Sequence, residues 1–528
     1  MSRSIFLPAR RRLLKLAASS SGALAAGAVS GFPSISRASA RPVITHGVQS
    51  GDVSANSGVI WARTDRPARM LVEVSSNESF TQATALAPTT AMPGSDFAVK
   101  RLLNTLPADQ EIFYRVRFAD LQDSRNVSEA VTGHFRTAPS ATRDIRFAWS
   151  GDTAGQGWGI DKERGGMQTY ATMAAHDPDF FIHSGDTIYA DGPISATAEM
   201  PDGSIWNSLV AEGVEKVAET LDEYRGRYKY NMLDEHVRAF NQQVPVFYQW
   251  DDHEVVNNWS AAKDLTGDDR YTEKSIMTLA SRSAQAFHEM TPISYTAEEP
   301  GRVYRKLSYG PLLDVFFLDL RSYRGPNTEG MQSEITDESR ILGAAQLAWL
   351  RDELAHSTAT WKVIASDMPL GLVVWDKFNG ENHVEAVANG NSGKAAGREL
   401  EFAELLRWMR DSGIDNVVWL TADVHYTAAH HYHPDRASFQ EFTPFWEFVS
   451  GPLHAGTFGP NELDGTFGPE VRYVKAPTAD QGVNLPPSMG LQFFGLVDID
   501  GQSRQLTVRL MDRDDTELYK VTLDPVAA

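Results

Sequence analysis

No cysteine occurs anywhere in the 528 residues. That excludes disulfides and thiolate metal ligands together. Basic residues are scarce beside acidic ones, 49 Lys and Arg against 69 Asp and Glu, for a formal net charge of −20. A chain of that balance does not present the basic surface that phosphate backbones select, so no nucleic-acid-binding surface is expected. Long apolar runs are also lacking. No segment of the body of the chain reaches the roughly 20 residues that span a bilayer. Internal repeats are absent, and low-complexity sequence is confined to the first forty residues. With 42% hydrophobic and 22% charged residues, what remains is the profile of a water-soluble globular chain of two or three domains.

Those first forty residues lack acidic side chains but carry Arg3, Arg10, Arg11, Arg12, Lys15 and Arg37. The stretch Ala9-Arg10-Arg11-Arg12-Leu13-Leu14-Lys15 precedes a mildly apolar run over 16–32, and Ala38-Ser39-Ala40 offers a small-x-small cleavage site. The pattern resembles a twin-arginine export signal over 1–40, with the twin-arginine machinery as a partner and a periplasmic or extracellular destination. The alternative, a membrane anchor, is disfavoured by a run that is short and weakly hydrophobic. Removal of the segment takes six positive charges from a chain at −20, leaving about −26. Export without disulfides suits a route that carries folded proteins.

From 41 to 138 short alternating strands such as Val59-Ile60-Trp61-Ala62 and Met70-Leu71-Val72-Glu73-Val74 are separated by turn residues. Their spacing predicts an antiparallel β-sandwich domain, with Ala138-Pro139-Ser140 as the linker out of it. From 141 to 528 apolar strands alternate with helical patterns over 167–175, 214–241, 273–289, 344–355 and 398–410. That alternation predicts an α/β domain whose sheet is covered on both faces.

Four apolar runs stop abruptly on metal-ligand side chains. Phe147-Ala148-Trp149 ends at Gly151-Asp152, and Phe180-Phe181-Ile182 at Gly185-Asp186 and then Tyr189. Val246-Phe247-Tyr248 ends at Asp251-Asp252-His253-Glu254 and Asn257-Asn258, and Val417-Val418-Trp419-Leu420 at Asp423-x-His425. The carboxyl ends of parallel strands converge on one crevice. A crevice holding so many hard oxygen donors and a few imidazoles points to metal. Glycine before Asp152 and Asp186 lets the backbone turn sharply beside an ion. Asp423 and His425 are expected on one side of an extended segment. Which of Asp251 and Asp252 faces inward is open. Tyr189, as a phenolate, would favour ferric iron.

These residues, with Leu318-Asp319-x-Arg321-x-Tyr323-Arg324, resemble the PhoD-like alkaline phosphatase and phosphodiesterase family. That family is related to purple acid phosphatases and other calcineurin-like metallophosphoesterases. The resemblance covers nearly the whole chain. It implies an α/β fold, the metallophosphoesterase-type two-sheet α/β/β/α sandwich, preceded by the antiparallel β-sandwich. It implies a binuclear centre with iron (Fe3+) held by Asp152, Asp186, Tyr189 and His425, and calcium held by Asp252, Asn257 and Asp423, Asp186 bridging. One branch of the family has a thiolate where Asp152 stands; here coordination would be through oxygen and nitrogen alone.

The activity implied is hydrolysis of a phosphate ester by in-line attack of water whose pKa the two ions lower. His253 is placed to meet the leaving group or bind phosphate, and Arg324 is favoured over Arg321 to contact phosphate oxygens. His183 reads as a core or supporting histidine, and His430, His431 and His433 as loop residues beyond the site. Glu254 reads as an orienting group. Trp158, Trp375 and Trp446 are read as loop residues, and 375–394 as a rim. The expected enzyme acts on phosphomonoesters and phosphodiesters. The alternatives are a phospholipase D-like phosphodiesterase for phospholipid head groups and a non-catalytic cell-surface binding protein.

Overall fold

The computed structural model describes residues 41–526 except Glu298, Asn379 and Gly380; residues 1–40, where an export signal is expected, lie outside the described residues. At the centre two sheets pack face to face. One runs Val246–Gln249, Phe180–Ser184, Ile145–Ser150, Phe493–Ile499, Leu506–Asp512, Glu517–Leu523. Its first three strands are parallel and the rest antiparallel. The other runs Arg305–Ser308, Leu313–Phe317, Trp361–Ala365, Val417–Thr421, Phe445–Val449, Thr427–Tyr432, Pro469–Lys475. Its four consecutive strands from Leu313–Phe317 to Phe445–Val449 are parallel.

Alternation along each strand decides what lies between and outside the sheets. Phe147, Phe180, Phe247 and Val497 meet Val315, Val363, Val418 and Leu420 in the middle layer. There the rings of Phe147, Phe180 and Phe247 stack in succession, with centroids 4.8 and 4.6 Å apart. The alternate residues Ala148, Phe181 and Val246 pack under helices Gln168–Ala175, Glu235–Gln243 and Ile276–Met290. On the far side Phe316, Ile364 and Trp419 pack under Ala344–His356 and Glu399–Asp411. This is the expected α/β/β/α sandwich.

Residues 44–136 form two antiparallel sheets. One holds Ile44–Gly51, Gly58–Thr64 and Ala98–Leu103, the other Thr84–Ala85, Ala68–Ser75, Glu111–Asp120 and Val131–Arg136, with Thr89–Ala91 also paired to Ala68–Ser75. Their inward residues Ile60, Val72, Val116 and Phe135 belong to the same continuous core as Phe147 and Phe180.

Three local expectations are corrected. The single helix expected over 214–241 is two, Leu221–Asn231 and Glu235–Gln243. Asp234 starts the second by accepting from the His236 and Val237 N–H groups, and Thr220 with Glu223 closes a capping box on the first. His430 and His431 lie in the strand Thr427–Tyr432, and Trp446 in Phe445–Val449, rather than in loops. Trp375 opens a hairpin, Trp375–Phe378 with Glu381–Val384. No helix among the described residues is long and apolar enough to cross a membrane.

Candidate metal centre

The four strand ends meet where the sequence pattern places them, but by a tighter backbone than extended strand. Asp152, Asp186, Asp423 and His425 all have positive φ, 61°, 49°, 68° and 60°. Non-glycine residues adopt the left-handed region at some cost, and aspartate tolerates it better than most. Each strand therefore stops, and the turn aims its carboxylate back over the strand end. This corrects the extended geometry expected of Asp423 and His425. Because both are in left-handed bends, they serve two different groups of donors. Gly185, at φ 105°, must be glycine, since a Cβ there would sit 2.5 Å from that of Asp251.

Ligand atoms of Asp152, Asp186 and His425 lie within 4.8 Å of one another; so do those of Asp186, Asp252 and His253, and those of Asp251, Asp252 and Asp423. Asp186 and Asp252 each belong to two groups, which makes one continuous cluster. Tyr189 joins at the first group, its Oη 2.8 Å from His425 Nε2, with Gly155 packed so closely on its ring that a Cβ would lie 2.1 Å away. His425 donates from Nδ1 to the Gly456 carbonyl. A carbonyl only accepts, so this tautomer leaves Nε2 as an acceptor, met here by Tyr189 Oη, where an ion would bind. Burial brings the His425 pKa down to about 4 and keeps the ring neutral, as a ligand must be.

The carboxylates are short of partners. Both oxygens of Asp152, Oδ2 of Asp186 and Oδ2 of Asp251 are buried with no hydrogen-bond donor. Burial, then the repulsion of neighbouring carboxylates, drives Asp152, Asp186 and Asp423 well above the ordinary carboxylate range. Buried, donor-starved carboxylates packed this closely are what bound cations satisfy. The residues present fit a two-ion centre: an N/O set with a phenol on one side, oxygen donors on the other.

Supporting residues fix this geometry. Glu254, fully buried, accepts from the backbone N–H groups of Asp186 (3.1 Å), Thr187 (2.7 Å), Ile188 (3.3 Å) and Asp251 (2.7 Å). It orients two ligand loops at once. His183 lies between Thr153 Oγ1 (2.7 Å) and Thr187 Oγ1 (3.3 Å), stacked on Tyr248, and is a supporting core residue. Asp251 and Asp252 both turn inward. Asp252 accepts from His253 N–H (2.8 Å) and Asn258 N–H, while Asp251 Oδ1 accepts from Arg321 Nε at 2.5 Å.

Two expected site residues are placed differently. Asn257 is exposed, outside the buried group, and donates its backbone N–H to Asp191 Oδ2 (3.0 Å). Arg324 has no exposed side-chain area; it pairs with Glu385 Oε1 (3.0 Å) and donates to Asn327 Oδ1 (3.0 Å) and the Glu385 carbonyl. An ion pair thus occupies the guanidinium expected to bind phosphate. Asp191, Asp367 and Glu385 went unread in the sequence. Asp191 Oδ1 bonds His253 Nδ1 at 2.7 Å. Burial would lower the His253 pKa, but Asp191 and then Asp252 outweigh it and raise it to about 9. Asp367 follows the strand Trp361–Ala365, a fifth strand end, and the Ser366-Asp367 signal was there to find. Glu385 carries no local signal at all.

Comparisons with known proteins identify the family. The model of the PhoD-like phosphatase family matches residues 147–510, and that of the PhoD-like phosphatase N-terminal domain matches 28–139. Alkaline phosphatase D of Bacillus subtilis (strain 168) is 26% identical over 438 residues, 79% of this chain and 70% of its own length. A solved structure of PhoD superposes with TM-score 0.66 and 20% identity, covering 94% of this chain and 90% of the other. A purple acid phosphatase from yellow lupin (Lupinus luteus) seeds shares the fold at TM-score 0.54 and 11% identity, over 92% of this chain and 74% of the other. With the family model spanning residues 147–510, the chain belongs to the PhoD-like phosphatase family and is a phosphoesterase, a hydrolase of phosphoric esters.

Proposed function

We propose that this phosphoesterase is exported and hydrolyses phosphomonoesters and phosphodiesters with iron and calcium at the strand-end cluster. The observation that carries the reading is the set of unpartnered oxygens on Asp152, Asp186 and Asp251, beside a buried phenol and a neutral imidazole. Asp152, Asp186, Tyr189 and His425 would hold the iron. Asp251, Asp252 and Asp423 would hold calcium, with Asp186 between the two. Bound there, the cations supply Lewis acidity for the phosphoryl oxygens and lower the pKa of water.

The protein's own groups do the rest. Asp191 fixes the His253 tautomer, putting the proton on Nδ1 against a carboxylate and turning Nε2 away from it, 3.5 Å from Gln156 Nε2. Asp191 also favours the protonated imidazole. That state suits donation to a leaving-group oxygen. Glu254 holds the ligand loops in register, and Gly151 and Gly185 allow the loops to approach closely. The twin-arginine pattern at the N-terminus supports export.

The test combines metal content, colour and substrate range in protein from a native-like host. Wild type should contain iron and calcium and show a visible charge-transfer band that Tyr189→Phe abolishes. It should hydrolyse a nitrophenyl monoester and a nitrophenyl diester faster than phosphatidylcholine. A colourless, iron-free, fully active enzyme would overturn the iron assignment. Preference for phosphatidylcholine would move the substrate class to phospholipid head groups.

A further inference from the structure

Arg321 is an unusual neighbour for a cation position. Its side chain is completely buried, and its Nη2 lies 3.9 Å from Asp252 Oδ1 and 3.8 Å from Asp423 Oδ1 without a hydrogen bond to either. A guanidinium carries a fixed positive charge that repels a metal ion sharing the same carboxylates. Yet its fork is what aims Asp251, through Nε to Oδ1 at 2.5 Å. The conflict is resolved on the far side of the guanidinium, where Nη1 donates to Glu385 Oε1.

Glu385 is itself held through Oε1 and its backbone, while its Oε2 is buried without a hydrogen-bond partner. Its Oε1 also pairs with Arg324 (3.0 Å), and its carbonyl accepts from Arg324 Nη2 and Arg398 Nη1. Its N–H donates to the Val374 carbonyl at 2.9 Å, at the base of the hairpin Trp375–Phe378 with Glu381–Val384. On that hairpin Asp376 meets Asn327 Nδ2 at 2.8 Å and Asn258 Nδ2 at 3.4 Å. Asn258 in turn places its backbone N–H on Asp252. The hairpin thus reaches the same donor group twice, once through Glu385 and Arg321 and once through Asp376 and Asn258.

We propose that Glu385 is a positioning residue for the Asp251–Asp252–Asp423 cation position, acting through Arg321: it offsets the guanidinium charge and fixes the fork that orients Asp251. The proposal rests on the reading that this group binds a cation. Glu385 touches no ligand atom of the Asp152–Tyr189–His425 group in the structure's hydrogen bonds or ion pairs, so its effect is selective.

The experiment measures calcium chloride binding by titration calorimetry, iron per chain by elemental analysis, and the visible band, in wild type and Glu385→Gln. The neutral isostere keeps the shape and removes the charge. Calcium affinity should fall at least tenfold while iron content and the visible band stay at wild-type values. Equal calcium affinity in the two proteins would overturn the role of Glu385, and so would a parallel loss of iron and calcium. If Glu385→Gln does not fold, Arg321→Lys takes its place. It keeps the charge but loses the fork, and the same selective loss is expected; unchanged calcium affinity would again overturn the proposal. A wild type that takes up no calcium sinks the cation reading itself, an outcome distinct from failure of the Glu385 role.

Discussion

At the scale of single residues, the centre is a set of buried acids that differ in who satisfies them. Asp152 has no donor, Asp252 has two backbone N–H groups, and Asp191 has the His253 ring and the Asn257 N–H. What separates Asp191 from Asp252 is the kind of partner: Asp191 holds the His253 ring, while Asp252 shares a donor group with Asp251 and Asp423. Asp191→Asn should leave iron and calcium content unchanged and lower kcat by about 100- to 10,000-fold, the scale of a lost general acid. The loss should be larger for alkyl phosphates, whose leaving group needs a proton, than for nitrophenyl phosphate. Equal losses across leaving groups, measured by steady-state kinetics on both, would remove His253 from that role. The donors were legible because apolar runs ended on them. Asp191 was not, because its value lies in a contact with His253, 62 residues on. Arg324 was misread for the same reason: an arginine near ligand motifs looks free until its partner is seen, and Glu385 lies 61 residues downstream.

At the scale of elements, strands were easier to read than the turns that follow them. Trp361–Ala365 is apolar but for Lys362 and buried at every position. Thr427–Tyr432 carries His430 and His431 and so looked like a polar loop. In the fold His430 faces Glu447 on the neighbouring strand, a cross-strand pair that makes a histidine acceptable in a sheet. The left-handed turns at Asp152, Asp186 and Asp423 have no alternation to betray them; only the glycines before the first two hint at a sharp bend. Glu254 is the joint that holds such turns, since one carboxylate serves four backbone N–H groups on two elements. Glu254→Gln replaces an acceptor oxygen by a donor nitrogen and leaves at least one buried N–H facing another. Each such orphaned group costs about 1–3 kcal/mol. A lower thermal midpoint is expected, with iron and calcium lost together rather than separately. Calorimetric melting and elemental analysis check it, and an unchanged midpoint would show that Glu254 is dispensable to the turns.

At the scale of the whole molecule, the β-rich segment before residue 139 and the α/β segment after it share packed and charged contacts. Asp52 and Arg305 form a buried pair at 2.7 Å across that junction, and Asp52 also accepts from Ser294. Beside it Lys100 donates to the Ile293 carbonyl at 2.8 Å and lies 3.9 Å from the centroid of the Tyr295 ring. Desolvation there, which Asp52 only partly counters, brings the Lys100 pKa down from 10.5 to about 7. Between pH 7 and 10.5 the unfolded chain holds a proton on this lysine that the folded chain has released, so the Lys100 contribution to stability rises with pH across that window. Below pH 7 both states hold the proton, and the cost of burying the charge is at its full value. Lys100→Met keeps the stem and removes the charge. It should raise the thermal midpoint by several degrees at pH 7 and by distinctly less at pH 10, flattening the rise of stability with pH. Melting curves of the two proteins at both pH values decide it: a variant that gains equally at pH 7 and pH 10 would show that Lys100 titrates normally and that the junction tolerates its charge.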